Sequence, residues 1–212
     1  MSNYKTVFFI LGALQIILGL SMIVPILAQF FYNQLDSGFI SSGLVTIIFG
    51  VLFVLTNFDH NKKLNLPQAF LLTALSWLSI AIFGSLPFIF SEVELTITDA
   101  FFESMSGITT TGSTIITNLN ETPKAILLWR GMLQWLGGIG IIVMAITLMP
   151  IMNIGGMQLF VISTSNTPEK ILPKSKEISI RLILVYLSLT LICALFYKIF
   201  GMSFFDSIVH SM

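Results

Sequence analysis

The sequence predicts an all-α integral membrane protein in which short re-entrant helices and loops lie between full membrane spans. Hydrophobic residues make up 55% of the 212 residues, and charged residues only 9%. Because a soluble domain carries about 25% charged residues, most of this surface must face lipid. Five apolar segments are long enough to cross a bilayer, and a run rich in threonine and glycine separates the third from the fourth.

The five predicted spans cover residues 7–31, 39–56, 66–90, 126–150 and 180–201. A membrane span needs about 20 apolar residues. The first segment is uncharged throughout and exceeds the roughly 7–15 apolar residues of a signal-peptide core, so we expect a retained span. Arg130 lies near the start of the fourth span and Lys198 near the end of the fifth, where long cationic side chains can extend to the membrane interface.

Charged residues outside the spans predict a cytoplasmic amino terminus in a cell membrane. The inner side then holds most of the basic residues: Lys5, Lys62, Lys63, Lys170, Lys174, Lys176 and Arg181. The outer side holds Lys124, Arg130 and Lys198, which satisfies the positive-inside rule. The acids on the outer side are Asp36, Glu92, Glu94, Asp99, Glu103, Glu121 and Asp206. They would raise the local cation concentration, or they simply avoid the basic inner face.

The run D-A-F-F-E-S-M-S-G-I-T-T-T-G at 99–112 predicts a helix over about 98–107 followed by an irregular loop. Thr96 or Thr98 is expected to cap the helix, with Asp99 in its first turn. The run is too short and too polar to cross a bilayer. Irregular backbone at membrane depth is tolerated only where protein encloses it or where it lines a wet cavity.

The loop residues Thr109, Thr110, Thr111 and Gly112 are candidates for coordinating K⁺. Backbone carbonyls replace the water shell of K⁺ when several of them point into one narrow axis. Glycine adopts the required backbone angles without steric cost. The carboxyl end of the preceding helix carries partial negative charge, which favours a cation. The alternative is a threonine- and glycine-rich external turn without a ligand.

A weak internal repeat appears when the chain is shifted by 107 residues. Residues 99–105 (D-A-F-F-E-S-M) then align with residues 206–212 (D-S-I-V-H-S-M). Internal symmetry is common in transport proteins. We therefore divide the chain into an amino-terminal helix pair at 1–63, a first helix–pore-loop–helix repeat at 64–160, and a cytoplasmic loop with an incomplete second repeat at 161–212. Because the second copy stops where its loop would begin, we expect a truncated or split protein.

Three further features allow a structural or a functional interpretation. Gly137, Gly138 and Gly140 predict tight packing against a neighbouring helix, which we favour over a hinge. Asp206 and His210 lie four residues apart and would fit a catalytic or metal pair, but no third ligand or nucleophile is evident. We prefer a polar helix face for this pair, and we expect neither an enzyme nor a bound cofactor.

Three stretches resemble the TrkH/TrkG family of bacterial potassium uptake proteins, which is grouped with KtrB in the superfamily of K⁺ transporters. They are F-F-E-S-M-S-G-I-T-T-T-G-S at 101–113, L-L-W-R-G-M-L-Q-W-L-G-G-I-G-I-I-V at 127–143, and Pro150 with G-G-M-Q-L-F at 155–160. The two spans before residue 64 resemble the extra helix pair of TrkH. The resemblance covers the whole chain.

The resemblance implies potassium uptake, channel-like or as symport with H⁺ or Na⁺, through a filter built by four helix–pore-loop–helix units in one chain. It assigns K⁺ coordination to Thr109, Thr110, Thr111 and Gly112. It also implies a homodimer and a cytosolic nucleotide-binding regulatory partner of the TrkA type, which the basic loop 162–181 would meet. Net charge is zero, so no nucleic-acid partner is expected. A non-conducting membrane subunit or assembly fragment remains the alternative.

Overall fold

The computed structural model describes residues 4–58, 64–93, 95–152 and 171–212, which contain nine α-helices and no strand. The described chain divides into two compact units, Met1–Gly137 and Gly138–Met212. Several residues used above lie outside the described ranges. They are Lys62, Lys63, Glu94 and Lys170, the motif at 155–160 and residues 162–170 of the basic loop.

The helices follow the predicted spans closely. Their bounds are α1 Lys5–Ser21, α2 Ile23–Tyr32, α3 Gly38–Thr56, α4 Leu66–Gly84, α5 Leu86–Phe90, α6 Ile97–Ile108, α7 Lys124–Met152, α8 Ile171–Ile199 and α9 Phe204–Ser211. Five stretches are long and apolar enough to cross a membrane: Lys5–Tyr32, Gly38–Thr56, Pro67–Phe90, Lys124–Ile142 and Ile180–Ile199. The predicted all-α fold with five spans is confirmed.

Two of the spans are interrupted helices with a proline just after the break. The first span changes from α1 to α2 at Met22, three residues before Pro25. The third changes from α4 to α5 at Ser85, two residues before Pro87. Proline lacks the backbone N–H that the preceding turn needs, and it fits the first turn of a new helix. The apolar pattern therefore continues across each break.

Glycines bring α1 and α3 into close backbone contact in the first unit. A Cβ atom on Gly12 would lie 2.6 Å from the carbonyl oxygen of Gly50, and one on Gly50 would lie 2.8 Å from the carbonyl oxygen of Gly12. Seven residues away on each helix, Gly19 and Gly43 face each other at a longer distance, since a Cβ on Gly19 would lie 3.1 Å from the carbonyl oxygen of Gly43 and one on Gly43 would lie 3.5 Å from that of Gly19. Small residues allow membrane helices to approach closely. Close packing, and not the hydrophobic effect, therefore stabilises the contact between α1 and α3.

Replacing Gly12 with alanine should therefore destabilise the first unit. The new methyl group meets backbone atoms of α3, which cannot rotate away, and overpacking of this kind costs about 1–3 kcal/mol. Thermal unfolding of the purified protein in detergent measures the effect. Gly43→Ala is the matched control, because a Cβ there lies 3.5 Å from the nearest atom, an ordinary contact. Equal melting temperatures for both variants would refute this account of the interface.

Side chains of the loop between α2 and α3 accept hydrogen bonds from backbone N–H groups of the first unit. Asp36 accepts hydrogen bonds from the backbone N–H of Gly38 at 2.9 Å and from that of Glu92 at 3.3 Å. Gln34 accepts one from the backbone N–H of Lys124 at 3.0 Å, at the beginning of α7. The bonds from Gly38 and Lys124 satisfy donors at helix starts, which have no partner within the helix, and the bond from Glu92 holds the turn after α5.

Candidate ion-coordination site

The short helix α6 carries the candidate loop at its carboxyl end. It begins at an N-cap, Thr96, whose hydroxyl accepts a hydrogen bond from the backbone N–H of Asp99 at 3.2 Å and donates one to the Asp99 carboxylate at 2.7 Å. This selects Thr96 over Thr98 among the two predicted caps. Its 12 residues span about 18 Å, well short of the roughly 30 Å hydrocarbon core of a bilayer.

The residues after α6 turn their peptide N–H groups back onto the end of the helix. The acceptors are the carbonyl oxygens of Met105 for Thr109 (3.0 Å), Gly107 for Thr110 (2.9 Å), and Ser106 for Thr111 (3.0 Å) and Gly112 (3.4 Å). In a trans peptide the C=O points away from the N–H. The carbonyls of Thr109, Thr110 and Thr111 therefore point away from α6. Within the described part of the chain, these three oxygens accept no hydrogen bond.

Two residues of the loop adopt left-handed backbone conformations. Gly112 has φ 77°, as expected for glycine, but Thr110 also has φ 58°. Thr109, the residue before Thr110, has φ −81° and ψ 2°. A β-branched residue rarely adopts positive φ, and such strain, about 1–3 kcal/mol, is concentrated at functional sites. The sequence predicted glycine's role here and gave no sign of strain at Thr110.

The threonine hydroxyls stabilise the loop itself. The Thr109 hydroxyl donates to the carbonyl oxygen of Met105 at 2.7 Å and lies 2.9 Å from the Thr111 hydroxyl. Ser106, on the last turn of α6, donates from its hydroxyl to the carbonyl oxygen of Ser113 at 2.7 Å. All four candidate residues are solvent-exposed. The exposed main-chain oxygens are therefore the groups available to a cation.

A buried ion pair lies behind the loop. Nε of Arg130, on α7, is 2.8 Å from the Glu103 carboxylate, and the Glu103 side chain is 0% exposed. The expectation that Arg130 extends to the membrane interface is wrong, because its guanidinium turns inward to this carboxylate. Glu103 likewise does not belong to an exposed acidic face. The signal that could have found the pair is the presence of opposite charges on two apolar helices, since ionisable residues at membrane depth usually pair.

Helix α7 packs tightly against α6 just before the loop. A Cβ atom on Gly137 would overlap the carbonyl oxygen of Ile108, and one on Gly107 would lie 3.0 Å from Cβ of Leu133. In the second unit, a Cβ on Gly138 would lie 2.6 Å from the Tyr186 hydroxyl. Gly140 has no described atom within 4 Å of such a position. Tight packing thus explains Gly137 and Gly138 but not Gly140.

Trp129 joins α7 to the end of α4. Its side chain is fully buried, and its indole N–H donates to the carbonyl oxygen of Gly84 at 2.9 Å. Replacing it with phenylalanine keeps most of the ring but leaves this buried carbonyl without its donor, which costs about 1–3 kcal/mol. We expect a lower melting temperature in detergent. Trp77→Phe is the control, because Trp77 is only partly buried, and an equal effect of both changes would contradict the role of the hydrogen bond.

The second copy of the repeat has the same start as the first. In the second unit, Ser203 caps α9, accepting from the Asp206 N–H at 3.1 Å and donating to the Asp206 carboxylate at 2.6 Å. Nδ1 of His210 lies 2.9 Å from the backbone carbonyl oxygen of Asp206. Asp206 thus uses its carboxylate for the cap, so the two side chains do not form the pair considered above. In the described ranges no three His, Cys, Asp or Glu residues cluster as metal ligands do.

The five stretches that can cross a membrane define a multi-pass membrane protein, in which α6 is a capped helix too short to cross. Residues 36–211 match the family model of the cation transport protein TrkH, and the chain belongs to this family. This is a family of cation transporters and not of enzymes. The resemblance to TrkH and TrkG drawn from the three motifs is confirmed.

Several characterised proteins resemble the chain along nearly its whole length. The Trk system potassium uptake protein TrkH of Escherichia coli (strain K12) is 40% identical over 213 residues, 99% of this chain and 44% of that protein. TrkI of Halomonas elongata is 37% identical, covering 96% of this chain and 42% of its own. The crystal structure of the potassium transporter TrkH from Vibrio parahaemolyticus superposes with a TM-score of 0.87 at 36% identity, covering 99% and 42%. The chain thus spans less than half the length of these relatives.

Proposed function

We propose that this chain takes part in potassium uptake across the cell membrane, and that residues 109–112 form one wall of the ion filter. The observation that carries the proposal is the direction of the peptide groups. Consecutive N–H groups are bound to the end of α6, so the carbonyl oxygens of Thr109, Thr110 and Thr111 are free on the opposite side. The names of the similar proteins support potassium as the ion.

The chemistry follows from this geometry. A dehydrated K⁺ needs several oxygens at a fixed spacing, and carbonyl dipoles supply them without a full negative charge that would hold the ion too tightly. The carboxyl end of α6 adds a partial negative charge beside the loop. One loop covers only one side of an ion, so selective passage requires further loops around the same axis. The matching caps of α6 and α9 support a repeated unit of this kind.

We test transport in a bacterial strain that lacks its own potassium uptake systems. The native gene is expressed with whatever sequence naturally accompanies these 212 residues, and growth is followed at low external K⁺. We expect growth together with uptake of ⁸⁶Rb⁺, a tracer for K⁺. Expression at the membrane without growth or uptake would support the alternative, a non-conducting subunit or assembly fragment.

We also infer a cytoplasmic amino terminus. The loop at 33–37 and the segment at 113–123 then lie outside, whereas the connection between α3 and α4 lies inside. A single cysteine introduced at Asn118 in a Cys193→Ser background should react with a membrane-impermeant thiol reagent in whole cells, and one introduced at Asn57 should not. Labelling of Asn57→Cys but not of Asn118→Cys would reverse the orientation.

The same family membership leads us to propose a homodimer with a cytosolic nucleotide-binding partner of the TrkA type. Basic residues of the segment 162–181, which the sequence predicted as a loop and which belongs to α8 from Ile171 onward, are the proposed contact on the cytoplasmic side. Crosslinking of the native protein in membranes should give a dimer band. Co-purification of a TrkA-type protein should be lost when Lys174 and Lys176 are both replaced by glutamate, and binding unaffected by that change would place the contact elsewhere.

A further inference from the structure

The Glu103 carboxylate connects three segments around the candidate filter loop. One carboxylate oxygen accepts hydrogen bonds from the Thr114 hydroxyl at 2.5 Å and from the Ile115 backbone N–H at 2.6 Å. The other accepts from Nε of Arg130 at 2.8 Å. Glu103 belongs to α6 and Arg130 to α7. Thr114 and Ile115 belong to the segment that leaves the loop. A single buried side chain therefore fixes the position of this departing segment.

The two ends of the loop are held in different ways. The entering end is fixed by the backbone N–H groups that bind the last turn of α6. The departing end is fixed by side chains, through the Ser106–Ser113 hydrogen bond and through Glu103. The buried carboxylate is fully paired, so it makes stronger, shorter hydrogen bonds than a neutral group would. The spacing of the carbonyl oxygens between the two ends depends on both attachments.

We propose that Glu103 and Arg130 are positioning residues that set the preference of this filter for K⁺ over Na⁺. Na⁺ is the smaller ion, and a loop that can contract around it loses discrimination. The charged pair prevents contraction by holding the departing segment against α6 and α7. This inference rests on the proposed function of residues 109–112. It assigns ion selectivity, and not the capacity to conduct, to the pair.

Substitutions at the two positions separate charge from shape. Glu103→Gln keeps the size of the side chain but removes its charge, and its amide N–H must face either the Arg130 donor or the donors of Thr114 and Ile115. Arg130→Met removes the cation, and Arg130→Lys keeps it on a flexible stem without the planar geometry of the guanidinium. Thr114→Val removes the hydrogen bond that this exposed residue donates to Glu103 and the one that it accepts from the Ile116 backbone N–H, and it leaves the ion pair intact. Thr96→Val is the control, because it weakens the far end of α6 without touching the loop.

The measurement is competition between Na⁺ and ⁸⁶Rb⁺ for uptake by the native gene product and each variant, with the melting temperature in detergent recorded in parallel. Glu103→Gln and Arg130→Met should lower the preference for Rb⁺ over Na⁺ by roughly tenfold, as loss of a supporting partner commonly does at ion sites. Arg130→Lys should retain more of the preference for Rb⁺ over Na⁺ than Arg130→Met does. The preference of Thr114→Val should be intermediate between those of the native protein and Glu103→Gln. Thr96→Val should lower the melting temperature and leave the preference unchanged.

The proposal is overturned if Glu103→Gln and Arg130→Met lower the melting temperature but the folded variant proteins still prefer Rb⁺ over Na⁺ as strongly as the native protein does. If Glu103→Gln and Arg130→Met do not reach the membrane, Thr114→Val and Arg130→Lys decide the matter, and unchanged selectivity in both also overturns the proposal.

Gly112→Ser distinguishes failure of the positioning role from failure of the proposed function. If Gly112→Ser alters selectivity and the pair variants do not, only the positioning role is lost. If none alters it, the filter assignment itself is wrong.

Discussion

Replacing Gly112 with serine should reduce the preference for K⁺ over Na⁺ by roughly tenfold. Gly112 has φ 77°, and the nearest atom to an added Cβ, Nε2 of Gln134, is 3.7 Å away. The space is therefore adequate, and the cost comes from the backbone. A left-handed conformation costs an L residue about 1–2 kcal/mol, which corresponds to roughly tenfold in an equilibrium. The loop can relieve this strain by rotating peptide groups, and the carbonyl oxygens then lose their alignment.

Gly201→Ser is the matched control for this prediction. Gly201 lies in the turn between α8 and α9, has φ 100°, and has no described atom within 4 Å of an added Cβ. The same substitution thus imposes comparable backbone strain away from the loop. Competition between Na⁺ and ⁸⁶Rb⁺ uptake should distinguish the two variants. If both change selectivity equally, or neither does, the effect is not specific to the filter loop.

Replacing Gly137 with alanine should both destabilise the protein and disturb the loop. A methyl group there would overlap the carbonyl oxygen of Ile108, the last residue of α6. Backbone cannot rotate away as a flexible side chain can, so α6 and α7 must separate at a cost of about 1–3 kcal/mol. Because Thr109 follows Ile108 directly, this separation moves the start of the loop. We expect a lower melting temperature in detergent and weaker selection of K⁺ over Na⁺.

Gly140→Ala, about one turn further along α7, is the control for that substitution. No described atom lies within 4 Å of the added methyl group, so only helix propensity changes. Alanine is favoured over glycine in a helix by about 1 kcal/mol, and this variant should be as stable as the native protein or more so. A melting temperature and a selectivity for Gly137→Ala equal to those of Gly140→Ala would contradict the close approach of α7 to α6.

The features that the sequence predicted correctly depend on neighbours along the chain. Apolar runs of sufficient length predicted all five spans, because the bilayer imposes a minimum length on each of them. The start of α6 was also predicted to within a residue or two, since a threonine three residues before an aspartate is a local capping signal. The alignment of residues 99–105 with residues 206–212 indicated the second copy, and the structure adds the matching cap at Ser203.

The features that the sequence missed depend on contacts between distant residues. Glu103 and Arg130 are 27 positions apart, and each had a plausible local explanation, an acidic outer face for one and the membrane interface for the other. Only the packing of α6 against α7 shows that they meet. The left-handed conformation of Thr110 was likewise unpredictable from its type, because tertiary and loop hydrogen bonds impose it against the preference of a β-branched residue.

Ion coordination by the loop backbone is tested most directly by locating the ion. A crystal of the native protein soaked in Tl⁺ or Rb⁺, which scatter anomalously and substitute for K⁺, should show an anomalous peak in direct contact with the carbonyl oxygens of Thr109, Thr110 and Thr111. Addition of Na⁺ to the Rb⁺ soak should weaken the peak in a Gly112→Ser crystal more than in a crystal of the native protein. Ion peaks along a passage that these oxygens do not line, or a loop whose oxygens face lipid, would contradict the account.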